Sequence, residues 1–218
     1  MTLALITLLH VLIPIYWLGG DLGAFYSSGF LTDSKRSVPE RMLALKILND
    51  IDMAPRTALI MAFPTGFTLA VAKGWVAVSP LLVGLVWLAS LVWLGLAWMV
   101  HLNHGTPNPW YKSVDMGIRY LALAGLLGAG FSVAFGLLDY PLFVGLKMII
   151  LGLAIVMGLI VRVLLKPLIP AIVTLSTTGP TPDSDKAIAD VLARTRPAVL
   201  CLWALILLAS YFGIATPL

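Results

Sequence analysis

Apolar residues along this chain come in long runs separated by short polar segments, and apolar and polar positions do not alternate regularly. An α-helix needs about twenty apolar residues to cross a bilayer, whereas barrel strands are shorter and alternate. The runs therefore predict an all-α, polytopic integral membrane protein: one helical bundle with about six transmembrane helices. The predicted spans are 2–26, 55–71, 76–102, 116–138, 141–165 and 197–217.

Two segments between the predicted spans have a character of their own. Residues 39–52, "PERMLALKILNDID", mix apolar and charged positions, which predicts a short amphipathic helix on the membrane surface that leads into the second span at Pro55. The segment 166–196 contains the one linker-like stretch, "TTGPTPDSD". We expect this segment to be a loop and a natural docking surface for a partner.

Composition supports the membrane assignment. The chain is 60% hydrophobic and 11% charged, whereas soluble domains carry roughly 25% charged residues. The net charge of +4 therefore relates to membrane topology and predicts no nucleic-acid partner. The single cysteine, Cys201, excludes an internal disulfide. No Lys or Arg precedes the first apolar run, so we expect a retained helix and not a cleaved signal peptide.

Lysine and arginine lie almost entirely on one side of the predicted bundle. The opposite loops carry only Lys73, and Lys147 falls inside a span. Because basic residues concentrate in cytoplasmic loops, this distribution predicts both termini outside, in a multi-pass protein of a bacterial-type inner membrane. The residues on the basic side are Lys35, Arg36, Arg41, Lys46, Arg56, Lys112, Arg119, Arg162, Lys166, Lys186, Arg194 and Arg196.

Polar groups within the spans fall into two layers. In "LLHVLIPIYWLGGDLGAFY", His10, Trp17 and Asp21 share one helix face, and ionisable groups on such a face must avoid lipid. From a rise of about 1.5 Å per residue, His10 and Lys147 lie at one depth near the outer side. Asp21 lies far deeper, in a layer with Arg119.

These positions give the candidate site residues, and each has a structural alternative. His10, Lys147, Trp17 and Arg119 are candidate cofactor contacts, with Lys147 and Asp21 as candidate catalytic groups. Alternatively, His10 bridges helices by a hydrogen bond, Lys147 extends to the outer headgroups, and Asp21 pairs with an arginine, Arg56 or Arg119, or with a nearby histidine.

His101 and His104, in "WMVHLNHG", are three residues apart at a helix end, a spacing that suits two ligands on one metal ion. No third ligand is evident, so the pair is a weak metal-site candidate. Both histidines lie at the opposite face from His10, beyond the reach of one haem iron.

Small residues predict where helices approach closely. Gly19 and Gly23 form a small-xxx-small pair beside Asp21, and "GLLGAG" (125–130) thins the fourth span. Pro64 and Gly66, in "AFPTGF", are expected to kink the second span and free a carbonyl.

Three segments carry a family resemblance. "LHVLIPIYWLGGDLGAFY" resembles the first helix of HemJ-type protoporphyrinogen oxidases and of CopD-like copper-resistance membrane proteins. "ERMLALKILNDIDMAPRTALIMAFPTGFTL" is similar to the second HemJ helix, and "GLKMIILGLAIVMGLIVRVLLKP" to the lysine-bearing helix of both families. The resemblance covers about half of the chain. It implies b-type haem at His10 and a functional lysine at Lys147.

The leading interpretation is a haem-b-binding membrane redox protein that acts on quinone or on a porphyrin-like substrate. His10 would bind the iron through neutral imidazole, with Lys147 as a sixth ligand or a charge partner. One alternative is a transporter of a metal ion or small solute, with the two polar layers as gates. Another is an accessory subunit that docks a membrane partner or a second copy of itself. The sequence leaves all three open.

Overall fold

A computed structural model describes residues 2–103 and 109–216 of the protein. These two ranges fold into α-helices joined by short turns and contain no strand. The all-α prediction is therefore confirmed. The helices are α1 (Thr2–Thr32), α2 (Val38–Ile51), α3 (Met53–Ala72), α4 (Pro80–Leu102), α5 (Trp110–Ala134), α6 (Leu142–Leu164), α7 (Leu168–Thr178) and α8 (Pro182–Ala215).

Five of these helices, α1, α4, α5, α6 and α8, are long and apolar enough to cross a membrane. Their outward surfaces carry large apolar side chains, among them Leu81, Leu121 and Leu207, which are more than half exposed. Water would disfavour so much apolar surface, whereas hydrocarbon accommodates it. The helical backbone also satisfies its own hydrogen bonds, as a bilayer requires. The chain is accordingly a multi-pass membrane protein.

α3 corresponds to the predicted second span, although it is not one of the five helices that are long and apolar enough to cross a membrane by themselves. It begins with Arg56 near its first turn and contains Pro64 without breaking. It runs antiparallel to α1: Gly66 near its end contacts His10, and Pro55 near its start contacts Gly20. α3 therefore packs against α1 over most of the length of α3.

The prediction of a loop at 166–196 is wrong. This segment forms α7 and the first half of α8, which meet at a turn where Gly179 has a positive φ of 89°. The Thr181 hydroxyl caps α8 by accepting a hydrogen bond from the backbone N–H of Ser184 at 3.1 Å. The apolar stripes of the two helices are short, so each stripe by itself only weakly predicts a helix. Packed together, the stripes form a core. That core contains Leu31, Leu168, Ala171, Leu175, Ile188, Val191 and Leu192.

The predicted amphipathic segment 39–52 is helical, as α2. Its Arg41 is completely buried. Arg41 Nε donates a hydrogen bond to the Leu31 carbonyl at 2.9 Å, and Nη1 contacts the Asp185 carboxylate at 2.7 Å. One arginine thus ties α2 to the end of α1 and the beginning of α8.

Glycines allow close helix approach at Gly23 and Gly130, as predicted, and at Gly20 in place of the predicted Gly19. A Cβ on Gly20 would lie 2.7 Å from Pro55 and one on Gly23 would lie 3.3 Å from Ile51, whereas a Cβ on Gly19 would meet nothing. In the "GLLGAG" segment only Gly130 approaches a neighbouring helix closely, since a Cβ there would lie 2.8 Å from the Gly145 carbonyl.

The bundle has two distinct ends. The beginning of α1, the end of α8, and the connections 73–79 and 135–141 meet at one end, which we name the terminal end. Arg56, Arg119 and Arg162 gather near the other, the arginine end. An apolar core lies between them, made of Trp17, Ala58, Leu59, Leu126, Ala154, Ile155, Leu202 and Ile206.

Candidate functional site

A cavity of about 320 Å³ lies between α1, α3, α6 and α8 at the terminal end, and we name it the first cavity. Its walls are mainly apolar, and both His10 and Lys147 line it. The sequence placed these two side chains at one depth, and the fold puts them on one cavity. Their chemical roles stay predictions.

His10 is held by α3. Its Nδ1 lies 3.0 Å from Thr65 Oγ1, and that hydroxyl donates its only proton to the Met61 carbonyl at 2.7 Å. When the single hydroxyl proton goes to the Met61 carbonyl, Thr65 Oγ1 accepts a hydrogen bond from His10 Nδ1–H. In neutral imidazole the other nitrogen, Nε2, then carries a lone pair, and it makes no hydrogen bond within the described residues.

Gly66 makes room for the His10 ring. A Cβ at this position would lie 2.8 Å from the ring Cε1 and 3.4 Å from Nε2. Any larger residue would displace the imidazole. The "AFPTGF" segment therefore contributes an acceptor, Thr65, and an open face, Gly66. The kink and the freed carbonyl stay predictions.

Lys147 points into the bundle from α6. Its ammonium lies against Gly213 of α8, where a Cβ would be 2.7 Å from Nζ. Lys147 has no ion pair in the described part of the chain. A second cation, Lys73, lies at the rim over the Trp75 ring, 4.6 Å from the ring centroid. No Asp or Glu lines the cavity among the described residues, so its charge favours an anionic ligand group.

Trp17 lines the first cavity toward the apolar core and is almost completely buried. Asp21, one turn further, does not line the cavity. The Trp17 and Trp203 indoles face the Asp21 carboxylate, but both Nε1 atoms and Asp21 Oδ2 lack a well-formed hydrogen bond to any described residue. The ion pair predicted for Asp21 is not formed, because Arg56 binds Asp52 and Arg119 binds Asp115.

Arg119 belongs to a buried group at the arginine end, which we name the Asp115 cluster. Asp115, on α5, is 1% exposed. It accepts hydrogen bonds from Arg119 Nε at 3.0 Å and from Trp93 Nε1 at 3.0 Å, and Arg162 Nη2 lies 3.7 Å away. The structure therefore does not bring Arg119 to the first cavity. Sequence reasoning missed Asp115, although its i,i+4 spacing from Arg119 suits a helical ion pair.

The histidine pair near the end of α4 gains no support as a metal site. His101 Nε2 lies 3.8 Å from Asp50 Oδ1, at the arginine end. His104 falls outside the described residues. Within residues 2–103 and 109–216, no group of three or more His, Cys, Asp or Glu side chains is placed to hold a metal ion.

A second cavity, of about 390 Å³, lies between α3, α4, α5 and α6. It is almost wholly apolar, and Ser90 and Trp93 bring the polar groups to its wall. Three residues, Phe63, Met148 and Leu151, line both cavities. One layer of side chains therefore separates them.

Comparison of the chain with protein-family models, curated proteins and solved structures finds no match. The resemblance to the HemJ and CopD families, with the haem and the lysine role it implies, stays a prediction.

Proposed function

We propose that the protein is a membrane redox protein that binds haem b in the first cavity, with His10 as an iron ligand. The observation that carries this proposal is the His10 arrangement, in which Nδ1 is held by Thr65 and Nε2 makes no hydrogen bond within the described residues. Histidines that bind metals almost always donate their other ring N–H to a fixed acceptor, which sets the tautomer and the ring orientation.

The remaining residues of the cavity fit the same cofactor. Gly66 leaves the His10 ring uncovered. Lys147 and Lys73 are cations without a carboxylate at the cavity wall, suited to hold the two propionates. The walls are mainly apolar, and Trp17 separates the cavity from the arginine end. Haem b supplies one-electron transfer at its iron when it is bound.

Visible spectra of the detergent-purified protein, grown with a haem precursor, test this proposal in oxidised and dithionite-reduced form. We expect haem-b bands in the wild type and their loss in His10→Ala. The matched control is His101→Ala, the same substitution at the arginine end, which should keep the bands. A colourless wild type, or an unchanged His10→Ala spectrum, would refute haem binding by His10.

We further propose six spans with both termini outside, in a bacterial-type inner membrane. Antiparallel packing of α3 along α1 supports counting α3 as a span, and the twelve basic residues assigned to the inner side support the orientation. Single cysteines at Ser79 and Lys186 test it on a Cys201→Ser background, since Cys201 is exposed. An impermeant thiol reagent added to intact cells should label position 79 only.

A transporter of a small anionic solute is the second candidate. It is favoured by the two lysines of the first cavity and by the apolar core between the two polar ends. The same lysines disfavour a metal cation as the solute. A colourless protein that carries a carboxylate solute into liposomes, and that loses this uptake in Lys147→Met, would replace the haem proposal with this one.

A further inference from the structure

We propose that the second cavity binds a lipid-soluble quinone, a flat ring with two carbonyl groups and an apolar tail. The redox meaning of this site rests on the haem proposed for the first cavity, whereas the binding itself does not. The cavity volume of about 390 Å³ falls in the range of roughly 300–1,000 Å³ found for small-molecule sites. Phe63 and Trp93 are the aromatic residues of its wall.

Ser90 is the observation that points to a ligand. It is 8% exposed, yet its hydroxyl has no hydrogen-bond partner among the residues that the structure describes. Other hydroxyls in the bundle, such as those of Thr68 and Ser210, donate to the carbonyl one turn earlier in their own helix. The Ser90 oxygen is not sealed inside the protein, and Ser90 lines the cavity, where a carbonyl oxygen would accept its proton.

The depth of Ser90 distinguishes a quinone from an ordinary lipid chain. Ser90 lies midway along α4 (Pro80–Leu102), close to the centre of the bilayer if this helix spans it. Phospholipid carbonyls stay near the headgroups, so acyl chains bring no acceptor to this depth. The other polar group, the Trp93 N–H, already donates to Asp115. A neutral, mainly apolar molecule with a carbonyl group is therefore what the site can recognise.

The shared wall relates this site to the first cavity. Phe63, Met148 and Leu151 are the residues that line both. A quinone ring in the second cavity would be separated from a cofactor in the first by one layer of side chains. Electrons cross such short separations readily, so the two cavities suit a cofactor and its lipid-soluble redox partner.

Binding of decyl-benzoquinone to the purified protein, measured by quenching of tryptophan fluorescence, tests the inference. Gly125 lines the cavity, and a Cβ there meets nothing within 4 Å. In Gly125→Phe the ring should fill the cavity and weaken quinone binding at least about tenfold. The control is Gly128→Phe, one turn further, where a Cβ is equally unhindered but does not face the cavity. It should bind as the wild type does.

Decylbenzene, which has the same tail and no carbonyl, isolates the role of Ser90. Ser90→Ala should weaken quinone binding about fivefold, the effect of one neutral hydrogen bond. The same variant should leave decylbenzene binding unchanged. If Gly125→Phe proves unstable, Ala89→Phe fills the cavity from α4 instead. Unaltered quinone binding in the folded filling variant, or equal binding of quinone and decylbenzene, overturns the inference.

Haem spectra of the same samples separate the two proposals. If the proteins lack haem but quinone binding follows the expected pattern, the haem proposal fails and the quinone site stands. If haem is present and the filling variants bind quinone normally, only the quinone site fails.

Discussion

The first cavity and the Asp115 cluster both contain ionisable side chains within an apolar bundle. They differ in whether those side chains have hydrogen-bond or ion-pair partners. In the Asp115 cluster, one carboxylate receives two arginines and an indole, all close to it. In the first cavity, Lys147 has no ion pair and His10 has an unused nitrogen, within the described residues. Buried polar groups are costly unless they are satisfied. The difference shows that the polar groups of the Asp115 cluster are satisfied within the protein, whereas the first cavity is the candidate site for a ligand.

A second comparison, within α3, isolates what is special about His10. Thr65 and Thr68 each donate to a carbonyl of their own helix and each accept from a ring N–H of a neighbouring helix, His10 and Trp87. The indole of Trp87 has a single N–H donor and no acceptor, so its bond to Thr68 uses its whole hydrogen-bonding capacity. Imidazole has a second nitrogen. The two contacts bridge helices equally, and only the one at His10 leaves a lone pair at a cavity.

The largest effect is expected from Asp115→Leu. Removing the carboxylate leaves Arg119, Arg162 and the Trp93 N–H without their acceptor, which should cost about 3–5 kcal/mol of unfolding free energy. Denaturation in mixed detergent micelles measures this loss. The control is Asp139→Leu, in an exposed connection, where less than about 0.5 kcal/mol is expected. Similar losses in both variants would mean that the cluster is not structural.

Thr65→Val and Thr68→Val should separate ligand positioning from helix bridging. Each variant removes one helix-bridging acceptor, and we expect similar losses of about 1 kcal/mol in stability. Only Thr65→Val also releases the His10 ring, so it alone should weaken haem binding, by about 10–100-fold. Equal haem affinities in the two variants would show that His10 does not act through Thr65.

Lys147→Met should weaken haem binding about tenfold, because it removes a charge-assisted hydrogen bond to a propionate. Haem dimethyl ester, whose propionates carry no charge, provides the comparison: its affinity should not change in this variant. Lys73→Met, at the open rim, should have a smaller effect with either ligand. A Lys147→Met protein that discriminates between haem and its ester as the wild type does would exclude the propionate role.

The smallest effect concerns α2, away from the membrane core. The Ser37 hydroxyl and backbone N–H both donate to the Glu40 carboxylate, at 2.7 and 2.8 Å, and lower the pKa of Glu40 below its usual 4.5. Because the folded-state pKa is the lower one, this stabilisation is complete above pH 4.5 and is lost as the pH falls through the folded-state value.

Glu40→Gln should therefore be slightly less stable than the wild type at neutral pH. The difference should close on acidification below pH 4.5. Unfolding curves over this range test the expectation, and haem spectra should not respond. Ser37→Ala, which removes one donor, should show a weaker pH dependence than the wild type. A gap between Glu40→Gln and wild type that persists in acid would contradict this account.

The sequence by itself determined the class of the protein and predicted that His10 and Lys147 lie at one level of the bundle. Long apolar runs fix helices because a bilayer accepts few other backbones, and a constant rise per residue converts position into depth. This is why the matched depth of His10 and Lys147, and the amphipathic α2, could be read without a structure. The two stretches of α7 and early α8 were missed because their apolar surfaces are small until they pack together.

Only the tertiary structure decided which way each group faces and which partner it takes. A rotation of about 100° per residue exchanges Gly19 for Gly20 at a helix contact, and hydropathy is insensitive to that rotation. Arg119 forms its ion pair with Asp115, and the groups beside the Asp21 carboxylate are the indoles of Trp17 and Trp203. Likewise the hydroxyl of Thr65, from another helix, engages Nδ1 of His10 and leaves Nε2 facing no partner within the described residues. Pairings of this kind depend on distances between helices, which a chain acquires only when it packs.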